Sequence, residues 1–364
     1  VCMGNNNSIK GTVSFGVCIA LVFCSVYGGG FLGSATGTLF EKICTDKEIN
    51  AVLSSNGAYA DEKEILSISG YGGGGYSSAV SNTPTDIEML KIQAEAQYKN
   101  HKKSGDITEQ QMGATSKTLT YGNVKVDNKT GQSISVKGYL DKAPSYKGIS
   151  KEKPCVLIYH THSTEGYEML DLGWYSNQYV SRTTDEAKNM VRVGDELTKS
   201  LEGAGYKVIH DRNIYDKAYN GAYDRSRVMV EKYLEQYPSI VVTLDVHRDA
   251  IKYDNGTKGK PTAFVNGRKA AQVMIITGCQ GDGVTDFPLW EQNLTFALHL
   301  QNTVEESYQG LMRPVFFCNR RYNMNITPCS LLLEFGTDAN TLAEAVYSAE
   351  LIGESLAKML DSYK

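Results

Sequence analysis

Three apolar runs in the second half of the chain are short, rich in branched residues and end in charged or imidazole side chains. They are Val156-Leu157-Ile158-Tyr159 before His160-Thr161-His162, Ile240-Val241-Val242-Thr243-Leu244 before Asp245-Val246-His247-Arg248, and Ser330-Leu331-Leu332-Leu333 before Glu334-Phe335. Unbroken apolar runs of this length mark strands buried on both faces. Between the first two runs, Ala187, Met190, Val191, Leu197 and Leu201 recur at helical spacing over 184–203, with Thr184 or Asp185 as N-cap and Gly203 or Gly205 as stop. A strand over 206–210 and a helix over 223–237 come next. Strand, helix, strand, helix, strand predicts parallel pairing through right-handed crossovers. The remaining pattern predicts an inserted hairpin region over 252–276 around Asp254-Asn255-Gly256, ending in an apolar strand, then a helix over 289–308, strands over 314–318 and 330–335, and a last helix over 340–360. The expected fold class is α/β, with a mostly parallel twisted sheet covered by helices on both faces.

The first third reads differently. Residues 11–32 are almost uncharged and long enough to span a bilayer as a helix. A cleaved signal peptide ending near Gly33-Ser34-Ala35 is the alternative, and both readings export the remainder of the chain. Residues 36–116 are polar and mixed, with the tract Gly70-Tyr71-Gly72-Gly73-Gly74-Gly75 and one helix-like piece over 86–98. This composition predicts a stalk, disordered in part, between a membrane anchor over 1–35 and a catalytic body over 117–364. Alternation around Asp127-Asn128-Lys129-Thr130-Gly131 predicts a hairpin at the start of the body.

A formal net charge of -4 over 364 residues leaves no footprint for nucleic acid, and no DNA or RNA partner is expected. Of eight cysteines, Cys44, Cys155, Cys279, Cys318 and Cys329 lie beyond the membrane end, and none forms a CxxC pair. A body this large needs no staples, so these read as buried thiols.

The chemistry gathers at the strand ends, where open α/β sheets assemble their sites. His162 and Glu165 form a His-x-x-Glu pair in a strand-to-loop transition, and His247 ends the next parallel strand. If those strands are neighbours, a spacing of about 5 Å brings the three side chains within reach of one ion. Three N/O ligands leave a fourth zinc position for water, so a zinc hydrolase is expected. His160 competes with His162, but an extended chain points it to the opposite face, and the spacing with Glu165 favours His162. Asp245 is read as the carboxylate that orients His247. Arg248 is placed at the substrate, as are His210 and Asp211 at another strand end. Glu334, a charge after three leucines, needs a reason to be there, and the expected one is catalysis as the general base.

The segments Tyr159-His160-Thr161-His162-Ser163-Thr164-Glu165-Gly166-Tyr167, Asn189-Met190-Val191-Arg192-Val193-Gly194-Asp195-Glu196-Leu197, Asp245-Val246-His247-Arg248-Asp249-Ala250 and Leu332-Leu333-Glu334-Phe335-Gly336 together resemble the stage II sporulation protein P family over about residues 120–364. The resemblance implies a zinc-dependent N-acetylmuramoyl-L-alanine amidase with a single-pass anchor and an extracytoplasmic catalytic domain. It implies peptidoglycan as substrate, septal wall degradation during engulfment as role, and stage II sporulation proteins D and M as partners. Family members are also associated with cleavage of peptide cross-links. Ordinary wall amidases of this fold take their glutamate from the start of the next helix, which here offers Asp185 and Glu186. The order His-x-x-Glu, His, Glu also resembles zinc carboxypeptidases, which favours Glu165 as second ligand. A non-catalytic wall-binding scaffold is the reading of a different class.

Overall fold

The computed structural model describes residues 84–363 apart from 147, 148 and 180. The predicted anchor, Cys44 and the glycine-rich tract lie outside the described residues, and among the described residues no helix is long and apolar enough to cross a membrane.

The central sheet is built on β4 (Pro154–Tyr159), β7 (Val242–Asp249) and β12 (Cys329–Thr337), the three apolar runs. They lie side by side and parallel, with β4 next to β7 and β7 next to β12. Around them the order is β2 (Leu119–Tyr121), β3 (Val124–Asn128), β11 (Val315–Cys318), β10 (Val273–Gly278), β12, β7, β4 and β6 (Lys207–His210). Only the β2–β3 and β10–β12 pairs are antiparallel. Buried residues alternate between the two faces of these strands. Val156, Ile158, Leu244, Val246, Leu331 and Leu333 join one apolar cluster with α3 (Met190–Gly203), α5 (Trp290–Ser307) and α6 (Leu342–Ser362). Leu157 and Tyr159 face the other way and pack with Val230 of α4 (Ala222–Gln236). Helices therefore cover both faces. At about 25 cal/mol per Å² of apolar area removed from water, burial of both faces of this sheet stabilises the body.

Several boundaries differ from expectation, each for a local reason. Helix α3 starts at Met190 because the Asn189 side chain accepts from the Val191 N–H; Asp185 instead pairs with Lys188. The hairpin at the start of the body is formed by β2 and β3 and turns at Gly122-Asn123 rather than at 127–131, where β3 ends; no strand follows over 133–136, and Val136–Leu140 is a short helix, α2, capped by Ser135. The region over 252–276 is larger than a hairpin. Within it β8 (Lys258–Val265) and β9 (Arg268–Ala271) turn at Asn266 and Gly267 and join a second, four-stranded sheet in the order β5 (Trp174–Tyr175), β1 (Gly105–Gln110), β8, β9.

That second sheet moves the expected boundary between stalk and body. Strand β1 pairs in parallel with β8 across about 150 residues of sequence, and α1 (Pro84–Tyr98) buries Ala94 and Tyr98 against the main core. Residues from 84 on thus belong to the compact body rather than to a stalk ending at 116. The thiols of Cys155, Cys279 and Cys329 are buried, as their apolar surroundings led us to expect, and that of Cys318 is buried as well.

Candidate metal centre

The parallel pairing of β7 with β12 sets His247 directly opposite Glu334, so both side chains rise from the same face of the sheet. Asp245, two residues earlier, shares that face. On the other flank β4 ends at Tyr159, paired with Asp245, and the chain turns over β7 so that His162 and Glu165 reach the same place. A bulge in β12 between Glu334 and Thr337 ends the regular ladder there. It needs Gly336, whose φ of 67° is left-handed and whose missing Cβ would meet the Asn340 side chain at 2.5 Å.

One donor atom from each of His162, Glu165 and His247 lies within 4.8 Å of the others. His162 Nδ1 is 3.8 Å from Glu165 Oε1, and His247 Nδ1 is 3.5 Å from Glu165 Oε2. All three residues are buried. Both imidazoles thus turn Nδ1 toward a carboxylate without closing a short hydrogen bond on it, which is the arrangement a small cation between them completes. The donor set suits zinc. The opposite nitrogen of His247, Nε2, lies 2.8 Å from Asp245 Oδ1. Asp245 is fully buried and accepts from the Thr161 N–H at 2.8 Å and the Thr161 hydroxyl at 2.7 Å, so the carboxylate beside His247 is itself fixed, although His247 Nε2 makes no hydrogen bond to it.

Charge in the site is strongly biased. Burial, with the neighbouring His247 adding to it, lowers His162 to about 4, so its imidazole is neutral at neutral pH and its lone pair is available. His247 moves the other way: burial opposes its protonation, but Asp245 and Glu165 outweigh burial and hold it well above the usual histidine range. Glu165 stays ionised, because His247, Arg248 and Arg182 outweigh the cost of burying it. Burial, with the Asp249 carboxylate adding, pushes Glu334 up to about 8. Its Oε2 is buried without a hydrogen-bond partner.

The sequence model of the family "Stage II sporulation protein P (SpoIIP)" matches residues 60–357, most of the chain. The chain belongs to that family. It is 29% identical over 225 residues to stage II sporulation protein P of Bacillus subtilis (strain 168), an alignment covering 58% of this chain and 53% of that protein. It therefore spans about half the length of that curated relative. Among solved structures, it is similar to the N-acetylmuramoyl-L-alanine amidase AmiC2 of Nostoc punctiforme, at 15% identity and a TM-score of 0.35 over 59% of this chain and 98% of that one. The CwlD amidase from Clostridioides difficile, solved in complex with the GerS lipoprotein, is similar at 10% identity and a TM-score of 0.35 over 57% and 98%.

Within this SpoIIP chain, the expected site residues separate into two groups. His162, Glu165, His247, Asp245 and Glu334 converge. The side chains of Arg248 and His210, expected at the substrate, are buried and engaged by protein groups. The Arg248 guanidinium is buried and donates to the carbonyls of Gly166 at 3.0 Å and Ser181 at 3.2 Å, while its backbone N–H donates to Glu165 Oε2 at 3.2 Å. It anchors the ligand loop from behind. The His210 side chain is buried beneath the sheet edge, 2.8 Å from His160 Nε2 through its own Nε2 and 3.2 Å from Asp195 through Nδ1. Asp211 is likewise buried and taken up by Tyr215 and Asn213. Asp185 and Glu186 pair with Lys188 and Arg212 and stand outside the donor cluster.

Sequence reasoning missed Arg182, Asp216, Tyr219 and Tyr223. Arg182 donates to Glu165 Oε1 at 3.1 Å and to Asp216 at 2.9 Å, and Asp216 also accepts from the Thr164 hydroxyl. Tyr219 stacks on His162 with ring centroids 4.7 Å apart, and Tyr223 lies parallel to His247 at 6.4 Å. A spacing of four residues at a helix start was the one signal that could have paired the two tyrosines.

Proposed function

We propose that this chain is a membrane-anchored, zinc-dependent hydrolase of cell-wall peptidoglycan that cuts the amide between N-acetylmuramic acid and L-alanine. The observation that carries the reading is the convergence of His162, Glu165 and His247 within 4.8 Å, with Glu334 opposite His247 on the adjoining strand. A zinc ion held by those three side chains supplies Lewis acidity toward a carbonyl oxygen and makes water more acidic. The rest is the work of the chain. Glu334 is outside the donor set, and its partnerless Oε2 is the atom that takes a proton and returns it to the leaving amine. A carboxyl held at about 8 is matched to proton transfer near neutral pH. The Asp245 carboxylate lies 2.8 Å from the His247 imidazole and favours its charged form, while Arg182 and the Arg248 N–H hold the two oxygens of Glu165.

Family membership supports a role in thinning the septal wall during engulfment, with stage II sporulation proteins D and M as partners and the apolar stretch 11–32 as anchor. The test is product analysis by mass spectrometry after purified peptidoglycan meets the zinc-loaded chain. New L-alanine amino termini with intact muramic acid are expected. New amino termini within the stem peptide or its cross-links would make the enzyme an endopeptidase using the same residues, and no zinc uptake at all would leave a wall-binding scaffold.

A further inference from the structure

Tyr219 is the one large apolar side chain at the site that remains half exposed, at 51%. One face of its ring lies on the His162 imidazole at an interplanar angle of 14°, and the Arg182 guanidinium stands 5.5 Å from its centroid. The loop that carries it is held in place. Arg225 donates to the carbonyls of Tyr215 at 2.7 Å, Asn220 at 3.1 Å and Ala218, so residues 215–220 are stapled from the first turn of α4. A fixed aromatic plate, backed by the His162 imidazole and half exposed, is not what a core needs. Burying that face against a partner is worth more than leaving it wet.

The backbone nearby selects what can lie on it. An extended peptide binds well where strand edges offer N–H and C=O groups. Here those groups are used internally: Glu165 and Gly166 form bridges with Arg182 and Asn189, the Gly166 N–H donates to Ser181, and the Thr183 N–H donates to Thr164. What the site presents instead is a half-exposed π system with the Arg182 guanidinium over the ring. The C–H face of a pyranose ring carries positively polarised hydrogens that suit the negative face of an aromatic ring, and its oxygens suit a guanidinium.

We infer that Tyr219, with Arg182 beside it, is a sugar platform that seats the glycan ring next to the bond presented to His162, Glu165 and His247. This rests on the peptidoglycan reading and deepens it: the platform ties cleavage to the junction of sugar and peptide. The same metal set without the platform is open to any peptide.

The test uses the full zinc-loaded chain in detergent micelles, with Tyr219→Ala and Tyr219→Phe each combined with Glu334→Gln so that binding is read without turnover. The probes are a disaccharide-linked stem peptide and the same stem peptide without sugar. Tyr219→Ala is expected to weaken the first by about tenfold, to leave the second within about twofold, and to keep its zinc. Tyr219→Phe should bind both as its parent does. Equal weakening of both probes assigns the ring to peptide and overturns the inference; loss of zinc makes Tyr219 only a support for His162 and overturns it too, as does unchanged binding. Hydrolysis by the chain with Glu334 intact is scored separately. Tyr219-dependent sugar binding with no cleavage refutes the hydrolase reading alone, and cleavage with Tyr219-independent binding refutes the platform alone.

Discussion

Two histidine pairs sit at the ends of the same group of strands, and they have opposite chemistry. His160 and His210 meet Nε2 to Nε2 at 2.8 Å, with the outer nitrogens engaged by the Val246 carbonyl at 3.0 Å and by Asp195 at 3.2 Å. Every ring nitrogen is used, so nothing is left for a ligand. His162, just past the end of β4, and His247, on β7, turn Nδ1 toward Glu165 at 3.8 and 3.5 Å and leave room between. Burial acts on both pairs, lowering His160 as it lowers His162. The difference lies in what completes each pair: the first is closed by the protein, the second stays open around Glu165. What makes the second pair a candidate metal site is thus the carboxylate between its rings, not their proximity alone.

The strongest way to break this comparison is to remove a ring from each pair. His162→Ala and His247→Ala should each lower zinc affinity and hydrolysis by about 10³-fold or more while circular dichroism stays unchanged, because the core rather than a metal holds the body together. His160→Ala should keep its zinc and lose about 1–3 kcal/mol of stability through the unpaired His210, read by chemical denaturation. Zinc loss in His160→Ala would mean that the two pairs are one system. Next in size is Glu334→Gln, which keeps shape but takes no proton. Its turnover should fall by roughly 10² or more with zinc retained, and loss of metal instead would make Glu334 a ligand.

Smaller effects sharpen the contrast. Asp245→Asn keeps the shape and one acceptor oxygen for Thr161 but turns the other oxygen into a donor and removes the charge beside His247, and zinc affinity by competition with a chelator should drop about 10- to 100-fold. Gly194→Ala tests the closed pair alone. The added methyl would meet His210 Nε2 at 2.5 Å and His160 Nε2 at 2.6 Å. It should cost about 1–3 kcal/mol in stability to denaturant and leave zinc binding within about threefold. A larger loss of zinc affinity would show strain passing through β4 to the metal side.

The sheet was legible because β4, β7 and β12 are buried on both faces and so read as continuous apolar runs. The donor set was legible for a related reason: its members lie at or just past the ends of those runs, where the topology brings neighbours together. Direction was not. Arg248 comes directly after a ligand and carries a charge suited to a substrate, yet its target carbonyls at Gly166 and Ser181 belong to a loop whose path no pattern announces. His210 points into the body because Gly194 on α3 leaves it space, a pairing across 16 residues that periodicity does not report. The second sheet escaped for want of an apolar signal: Gly105–Gln110 is mostly exposed and becomes a strand only through β8, far along the chain.

That borrowed strand gives the body a mechanical property. Residues 107–110 run alongside 258–261 in parallel, and residues 105 and 106 lie against Tyr175 and Trp174 on the other side. A pull on the chain from its N-terminal side first meets Tyr98, whose hydroxyl bonds Glu168 at 2.5 Å, and then loads β1 along its own axis. Axial load shares the force among all the ladder bonds at once instead of opening them one by one. A body tugged through this segment resists as a unit, and the loop from Glu165 to Arg182, which carries Glu168 and the β5 residues Trp174 and Tyr175, is the first part of the candidate site to feel the tension.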